Sequence, residues 1–271
     1  MERLSVLVCT MSDRLPALRP DQYPETEGVA YVFSCQYPAS AEAPQAPAWL
    51  DKRADAAFYP LAGHGLSANR NHALGLCRSE LAVIGDDDVI YTAERLKKAI
   101  EIFDKHPDVD IVCFRATDMM GTPIKPYAEA PFEYAKRPRG TYVTSFELAL
   151  RLSPALPQFD TRFGLGSDIL GCGEEEIFLH DACRNGLHVV YFPIVLCTTE
   201  NPHTTGRKFH EEAAIRRAKG GVLAYCYSLP GALLRIFRHV ALVRRGLRLR
   251  ALCDMLAGAA FVLKTGRKPS R

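Results

Sequence analysis

Leu81-Ala82-Val83-Ile84-Gly85-Asp86-Asp87-Asp88-Val89 is the stretch on which the fold turns. Four apolar residues in a row read as a strand buried on both faces, the pattern of a parallel sheet rather than of a half-solvated one. The run ends in three consecutive carboxylates, so the acids stand at the carboxyl end of the strand. In an extended chain Asp86 and Asp88 project to one side and Asp87 to the other. Open α/β sheets bind ligands beyond the carboxyl ends of their strands. Paired carboxylates there suit Mg²⁺ or Mn²⁺, hard cations that keep positions open for phosphate oxygens. A solvated acidic turn capping the helix that starts at Thr92 has the same sequence, and both readings stand at this point.

The segments around this stretch alternate between strand and helix, as βαβ units feeding a mostly parallel sheet do. Leu4 to Cys9, Val29 to Phe33, Asp110 to Phe114 and His188 to Pro193 read as further strands. Thr92 to His106 carries Leu96, Ala99, Ile100 and Phe103 at helical spacing, and Glu174 to Arg184 carries Phe178, Leu179 and Ala182. Val143 to Leu152 also reads as helix. The Pro- and Ala-rich stretch 39–60 reads as an irregular excursion, and 121–139 as a loop or ribbon.

Two further segments carry chemistry. In Gly65-Leu66-Ser67-Ala68-Asn69-Arg70-Asn71, Ser67 can cap a helix running to about Arg78. Free N–H groups at such a helix start attract anions, and Arg70 adds a bidentate donor for phosphate. In Gly164-Leu165-Gly166-Ser167-Asp168-Ile169-Leu170-Gly171-Cys172-Gly173-Glu174-Glu175-Glu176, a mobile or tightly turning glycine-rich loop delivers three acids to a helix start. Acids there complement the helix dipole, and one of them placed against substrate is a general base.

Composition sets the outer bounds. The chain has 271 residues with 48% hydrophobic and 24% charged, ordinary globular proportions with room for one large or two small domains. A net charge of +3 argues against a nucleic-acid binder. The charge is split, however. Residues 229–271 hold ten basic residues opposed by Asp254 alone, net +9, and leave residues 1–228 at −6. Nine cysteines, an odd number without a C-x-x-C pair, fit a reducing compartment. The short apolar run after Met1-Glu2-Arg3 predicts no signal peptide, and no apolar stretch near 251–263 reaches spanning length. The expected location is the cytoplasm. In the tail, Leu233, Ile236, Phe237, Val240, Val243 and Leu247 share one side of a helical wheel, with Arg235, Arg238, Arg245 and Arg248 opposite. Such a helix can lie on an anionic membrane surface or pack on the domain with its basic face in water.

Taken in order, five pieces of this chain resemble the family 2 glycosyltransferases with a GT-A fold, particularly bacterial members that build surface polysaccharides. They are Val6-Leu7-Val8-Cys9-Thr10-Met11-Ser12, 65–71, Val83 to Val89, Phe159-Asp160-Thr161-Arg162-Phe163-Gly164-Leu165-Gly166 and Gly173 to Leu179. The resemblance spans about residues 4 to 210. It implies a Rossmann-like, mostly parallel sheet flanked by helices over residues 1–228, with 229–271 as a basic amphipathic helical extension. It implies that Asp86-Asp87-Asp88 is the D-x-D element, with Asp88 a direct Mn²⁺ or Mg²⁺ ligand and Asp86 near the ribose or the metal. Arg70, with Ser67, Asn71 and Asp87, would contact a UDP- or GDP-sugar donor. Where the family usually has Glu-Asp this chain has Glu174-Glu175, so Glu175 is the implied base and Glu174 the alternative. The loop Phe163 to Gly173 would close on the donor, and His203 matches a late metal-ligating His. The implied reaction inverts the anomeric centre and glycosylates a saccharide or lipid-linked acceptor; a lipid-linked acceptor fits the membrane reading of the basic tail, which places the protein peripherally on the inner membrane face.

Two other classes compete with that reading. A sugar nucleotidyltransferase also uses an α/β fold with paired carboxylates, but calls for a glycine-rich basic loop after the first strand. Here that place is Thr10-Met11-Ser12-Asp13-Arg14, which has no glycine. A non-catalytic module docking on membrane or polyanion through its tail is the other.

Overall fold

Apolar runs separated by amphipathic stretches become a nine-stranded sheet in the computed structural model, which describes residues 2–202 and 205–266. The chain forms two compact units. The first holds residues 1–64, 69–156 and 182–202; the second holds 65–68, 157–181 and 203–271. The boundary expected at 228/229 falls inside the second.

The first unit contains the whole sheet. Its strands are β1 (Leu4–Met11), β2 (Val29–Tyr37), β3 (Ala56–Ala62), β4 (Leu81–Asp86), β5 (Val89–Ile90), β6 (Ile111–Thr117), β7 (Phe132–Glu133), β8 (Leu148–Arg151) and β9 (Val189–Thr199). The order is β3-β2-β1-β4-β8-β6-β9-β5, with β7 also paired to β9. Neighbours from β3 to β4 are parallel, as are β6 and β9; β8, β5 and β7 run against their neighbours. The mostly parallel expectation therefore holds. Helix α1 (Leu66–Leu76) begins in the second unit's residues and continues in the first. Helix α2 (Ala93–Lys105) starts where the Thr92 hydroxyl accepts from Arg95 N at 3.2 Å, and buries Leu96, Ala99, Ile102 and Phe103. Burying Leu96 and Phe103 stabilises the sheet by about 1.5–3 kcal/mol each. They join Val6, Val8, Phe33, Val83, Val112 and Phe114 in one core.

Two local readings are corrected. Val143 to Leu152 is not a helix. A short 3₁₀ turn at Ser145–Glu147 leads into β8, which is antiparallel to both β4 and β6. Leu148-Ala149-Leu150 is too short for its period to tell helix from buried strand, and the open slot between β4 and β6 decides it. Within 39–60, Ala56 onwards forms β3, an edge strand that tolerates Pro60.

A buried ion pair holds the turn before β8. Lys125 Nζ lies 2.5 Å from Glu147 Oε2, with side chains 4% and 1% exposed. Tyr127 donates to Glu147 Oε1, and Thr144 N donates to Oε2 at 2.7 Å. Removing one partner of such a pair leaves a buried charge uncompensated. Lys125→Met is therefore expected to lower unfolding free energy by about 3–5 kcal/mol, and Lys125→Met with Glu147→Leu to recover most of it, as read by urea titration. A double variant no more stable than the single one contradicts this.

The second unit is helical. After α3 (Glu174–Arg184), whose last turn is counted with the first unit, come α4 (Ala213–Cys226), α5 (Leu229–Leu242) and α6 (Arg248–Thr265). Phe163, Leu170, Ile177, Ala218, Val222, Tyr225 and Val262 form one of its cores. Leu223, Ala224, Ala232, Ile236, Val240, Ala251, Met255 and Ala259 form another. Helices α4 and α6 cross at two glycines. A Cβ on Gly220 would lie 1.9 Å from Met255 O, and one on Gly258 would lie 1.9 Å from Arg217 O. Only residues without a side chain permit this approach. Near the end of α6, Arg162 ion-pairs with Asp160 and donates to Gly266 O at 2.7 Å.

Candidate active site

In the first unit, the carboxyl ends of β1 and β4 bring the acidic triplet its partners. Cys9 stands opposite Asp86, so residues 10–14 and 86–88 leave the sheet side by side. Thr10 donates to Asp87 Oδ2 at 2.7 Å. Arg14 grips both oxygens of the same carboxylate, Nε to Oδ2 at 2.7 Å and Nη2 to Oδ1 at 2.7 Å. Gln22 Nε2 donates to Asp87 O at 3.0 Å. Asn69 donates to Thr10 O at 3.1 Å and accepts from Ser34 at 2.5 Å, which ties α1 to the ends of β1 and β2. Gly85 is needed before the triplet, since a Cβ there would sit 3.1 Å from Tyr91 Oη and 3.3 Å from Leu7 O.

The three acids divide their work. Asp87 is committed to Arg14 and Thr10. Asp86, the last residue of β4, accepts from Arg70 Nη2 at 3.3 Å and from Ser145 Oγ at 3.3 Å. Arg70 itself is 2% exposed and reaches Ser145 at 2.5 Å, so it braces the strand end from within. Asp87 and Asp88 occupy a turn between β4 and β5, where the strand alternation no longer applies. The Asp88 carbonyl accepts from Glu200 N at 3.0 Å. Burial, and then the charges of Asp86 and Asp87, push the Asp88 carboxyl up to about 6. A carboxylate crowded by others in this way is relieved by a cation. Among the described residues no group of three or more His, Cys, Asp or Glu is arranged to hold a metal by itself. One or two carboxylates completed by phosphate oxygens is the commoner arrangement for Mg²⁺, and Asp86 and Asp88 fit it.

In the second unit, Ser67 is not the cap expected of it. It lies inside α1, is 1% exposed, and donates to Phe163 O at 2.6 Å. The glycine-rich segment turns tightly: Gly164 N bonds Leu170 O at 2.9 Å, and the Ser167 hydroxyl donates to Arg162 O at 2.5 Å. Gly164 has φ +105°, and a Cβ on it would meet Ser67 Oγ at 3.0 Å and Glu174 Cδ at 3.2 Å. Glu174 is thus buried against this turn, whereas Glu175 and, in the first unit, Asn71 are half-buried. His203 lies outside the described residues.

Arg14, Asn69 and Ser145 were not anticipated. Arg14 could have been found by aligning the ends of β1 and β4. Ser145 was hidden by the helix expected over 143–152.

Residues 46–154, which contain β3 through β8, match the family model for glycosyl transferase family 2. The match covers 109 of the 271 residues, so what it shows is a likeness of this segment to glycosyl transferase family 2. Among solved structures it is similar to S. aureus TarS 1-349, with 17% identity and a TM-score of 0.59 over 96% of this chain and 81% of that one. TarS 1-349 in complex with UDP-GlcNAc gives 14% identity and 0.59 over 96% and 82%. A mycobacterial protein gives 15% and 0.52 over 83% and 75%. At such identities the likeness establishes a shared fold, and that fold is GT-A. No curated protein matches the sequence.

Proposed function

We propose that this protein is a metal-dependent, inverting glycosyltransferase that moves a sugar from a UDP- or GDP-sugar to a hydroxyl of a saccharide or lipid-linked acceptor in bacterial surface-polysaccharide assembly. The observation that carries this reading is the carboxylate triplet at the carboxyl end of a central parallel strand, with the Asp88 carboxyl pushed up to about 6 by burial and then by Asp86 and Asp87. The fold shared with a protein seen with UDP-GlcNAc supports the nucleotide-sugar class. Asp88 and Asp86 would hold Mn²⁺ or Mg²⁺, which neutralises charge on a departing nucleoside diphosphate. Asp87, pinned by Arg14 and Thr10, sets the turn that presents them, and Arg70 fixes Asp86. Asn71 completes the donor-side set, whereas Ser67, buried and bonded to Phe163 O, holds the glycine-rich turn instead of meeting the donor. Glu175 accepts the proton of the acceptor hydroxyl as its oxygen bonds to the anomeric carbon and the bond to diphosphate breaks. Arg14 is spent on Asp87, which disfavours residues 10–14 as the phosphate loop of a nucleotidyltransferase.

Calorimetry with UDP and GDP, with and without Mn²⁺, tests this directly, since absence of metal-dependent nucleotide binding would end the proposal. Its pH dependence has a definite sign. An Asp88 carboxyl at about 6 is largely ionised at pH 7 and largely protonated at pH 5, and a proton competes with the cation. Metal-dependent affinity is expected to be about tenfold weaker at pH 5 than at pH 7, and Asp88→Ala to abolish it.

A further inference from the structure

Helix α5 is apolar on two sides. One side, Ala232, Ile236 and Val240, is buried with α4 and α6, so most of the stripe read from the sequence is internal. The other runs Leu234, Phe237, Ala241 and Leu242, the i, i+3, i+7, i+8 spacing of one helix face, with Arg238 set among them, and all five are exposed. Leu234 is 68%, Phe237 54% and Leu242 84% exposed, and Leu249 follows at 74%. Of the twelve large hydrophobic side chains exposed among the described residues, six lie within 229–266, a concentration rather than the usual scatter.

The charge around this face has one sign. Arg235, Arg238, Arg244, Arg245, Arg248 and Arg250 are exposed, and the single acid of 229–266, Asp254, is bound to Arg216 at 2.7 Å. A second copy meeting this face with its own would bring arginines against arginines. Among the described residues no helix is long and apolar enough to cross a membrane. Exposed leucine and phenylalanine framed by arginine match the boundary between anionic headgroups and acyl chains.

We propose that the outer side of α5, continued through residues 244–250, seats the protein on an anionic lipid surface, with Leu234, Phe237 and Leu242 entering the headgroup boundary. The contact requires no donor or acceptor, so it stands or falls apart from the transfer reaction. The full chain is sedimented with vesicles of phosphatidylcholine alone and of phosphatidylcholine mixed with phosphatidylglycerol. Binding is expected on the anionic vesicles only, weakening as salt is raised. Arg244→Gln with Arg245→Gln should weaken it about fivefold per charge. Phe237→Ser with Leu242→Ser should weaken it on the order of tenfold or more, and both pairs are exposed enough to leave folding intact. Equal binding to both vesicle types, or variants that bind as well as the parent, overturns the proposal. A concentration-dependent dimer lost in the Phe237/Leu242 variant also overturns it and gives the face to a second copy.

Discussion

Gly258→Ala is expected to disrupt the second unit rather than merely weaken it. A methyl at this position would stand 1.9 Å from Arg217 O, and the obstacle is backbone, which cannot swing aside as a side-chain tip can. Relief requires α6 to move off α4. That movement opens the contacts of Met255, Ala259 and Val262 with Ala218, Val222 and Leu223. Overpacking usually costs 1–3 kcal/mol, but here the strain and the lost burial fall on one crossing, so a loss of about 4 kcal/mol or more is expected. Against a typical total of about 5–15 kcal/mol, this exposes the second unit to proteolysis while the sheet persists. Gly75→Ala is the matched control. Gly75 lies in α1 with open space where its Cβ would be, and the change should stabilise by about 0.4–1 kcal/mol. Limited proteolysis and chemical denaturation of the two variants check the pair. A Gly258→Ala protein as stable as its parent would show that the helices do not cross this closely.

Glu175→Gln is expected to leave donor binding in place and slow transfer by about 10² to 10⁴. The amide keeps the size and hydrogen-bonding reach of the side chain but cannot take a proton. Both acids stand in the first turn of α3, where the helix dipole favours the ionised form a base must have. They differ in surroundings. Glu174 is 4% exposed and packs beside Gly164, suited to holding the glycine-rich turn, whereas Glu175 is half-buried. Nucleoside diphosphate release measures transfer, and calorimetry measures donor binding in the same preparation. An inactive Glu174→Gln beside an active Glu175→Gln would move the base by one residue.

Strands β1, β2, β4, β6 and β9 were legible because each carries an apolar run that only a buried strand explains. β3 was not, because Ala56-Ala57-Phe58-Tyr59-Pro60 sits at an edge, half in solvent, where patterning is weak and proline is tolerated. β8 was not, because three apolar residues carry no period and its partners are distant in sequence. The acidic triplet was legible as a strand end, and its metal-binding use rests on the proposal above. Its scaffold was not legible: Arg14 and Ser145 reach Asp87 and Asp86 only through the strand order, which no local pattern encodes. The tail's helical period was visible, yet period alone cannot say which of two apolar sides meets protein. Ile236 turned in and Phe237 out.

The glycine crossing also limits how this chain can change length. Each residue added to or lost from a helix turns everything beyond it by about 100°, so an insertion in α6 ahead of Gly258 would present Ala257 where Gly258 must lie, and a deletion there would present Ala259. Helix α6 therefore accepts exchange of residues but not gain or loss of them, and length variation among relatives with this crossing should collect in the 243–247 connection.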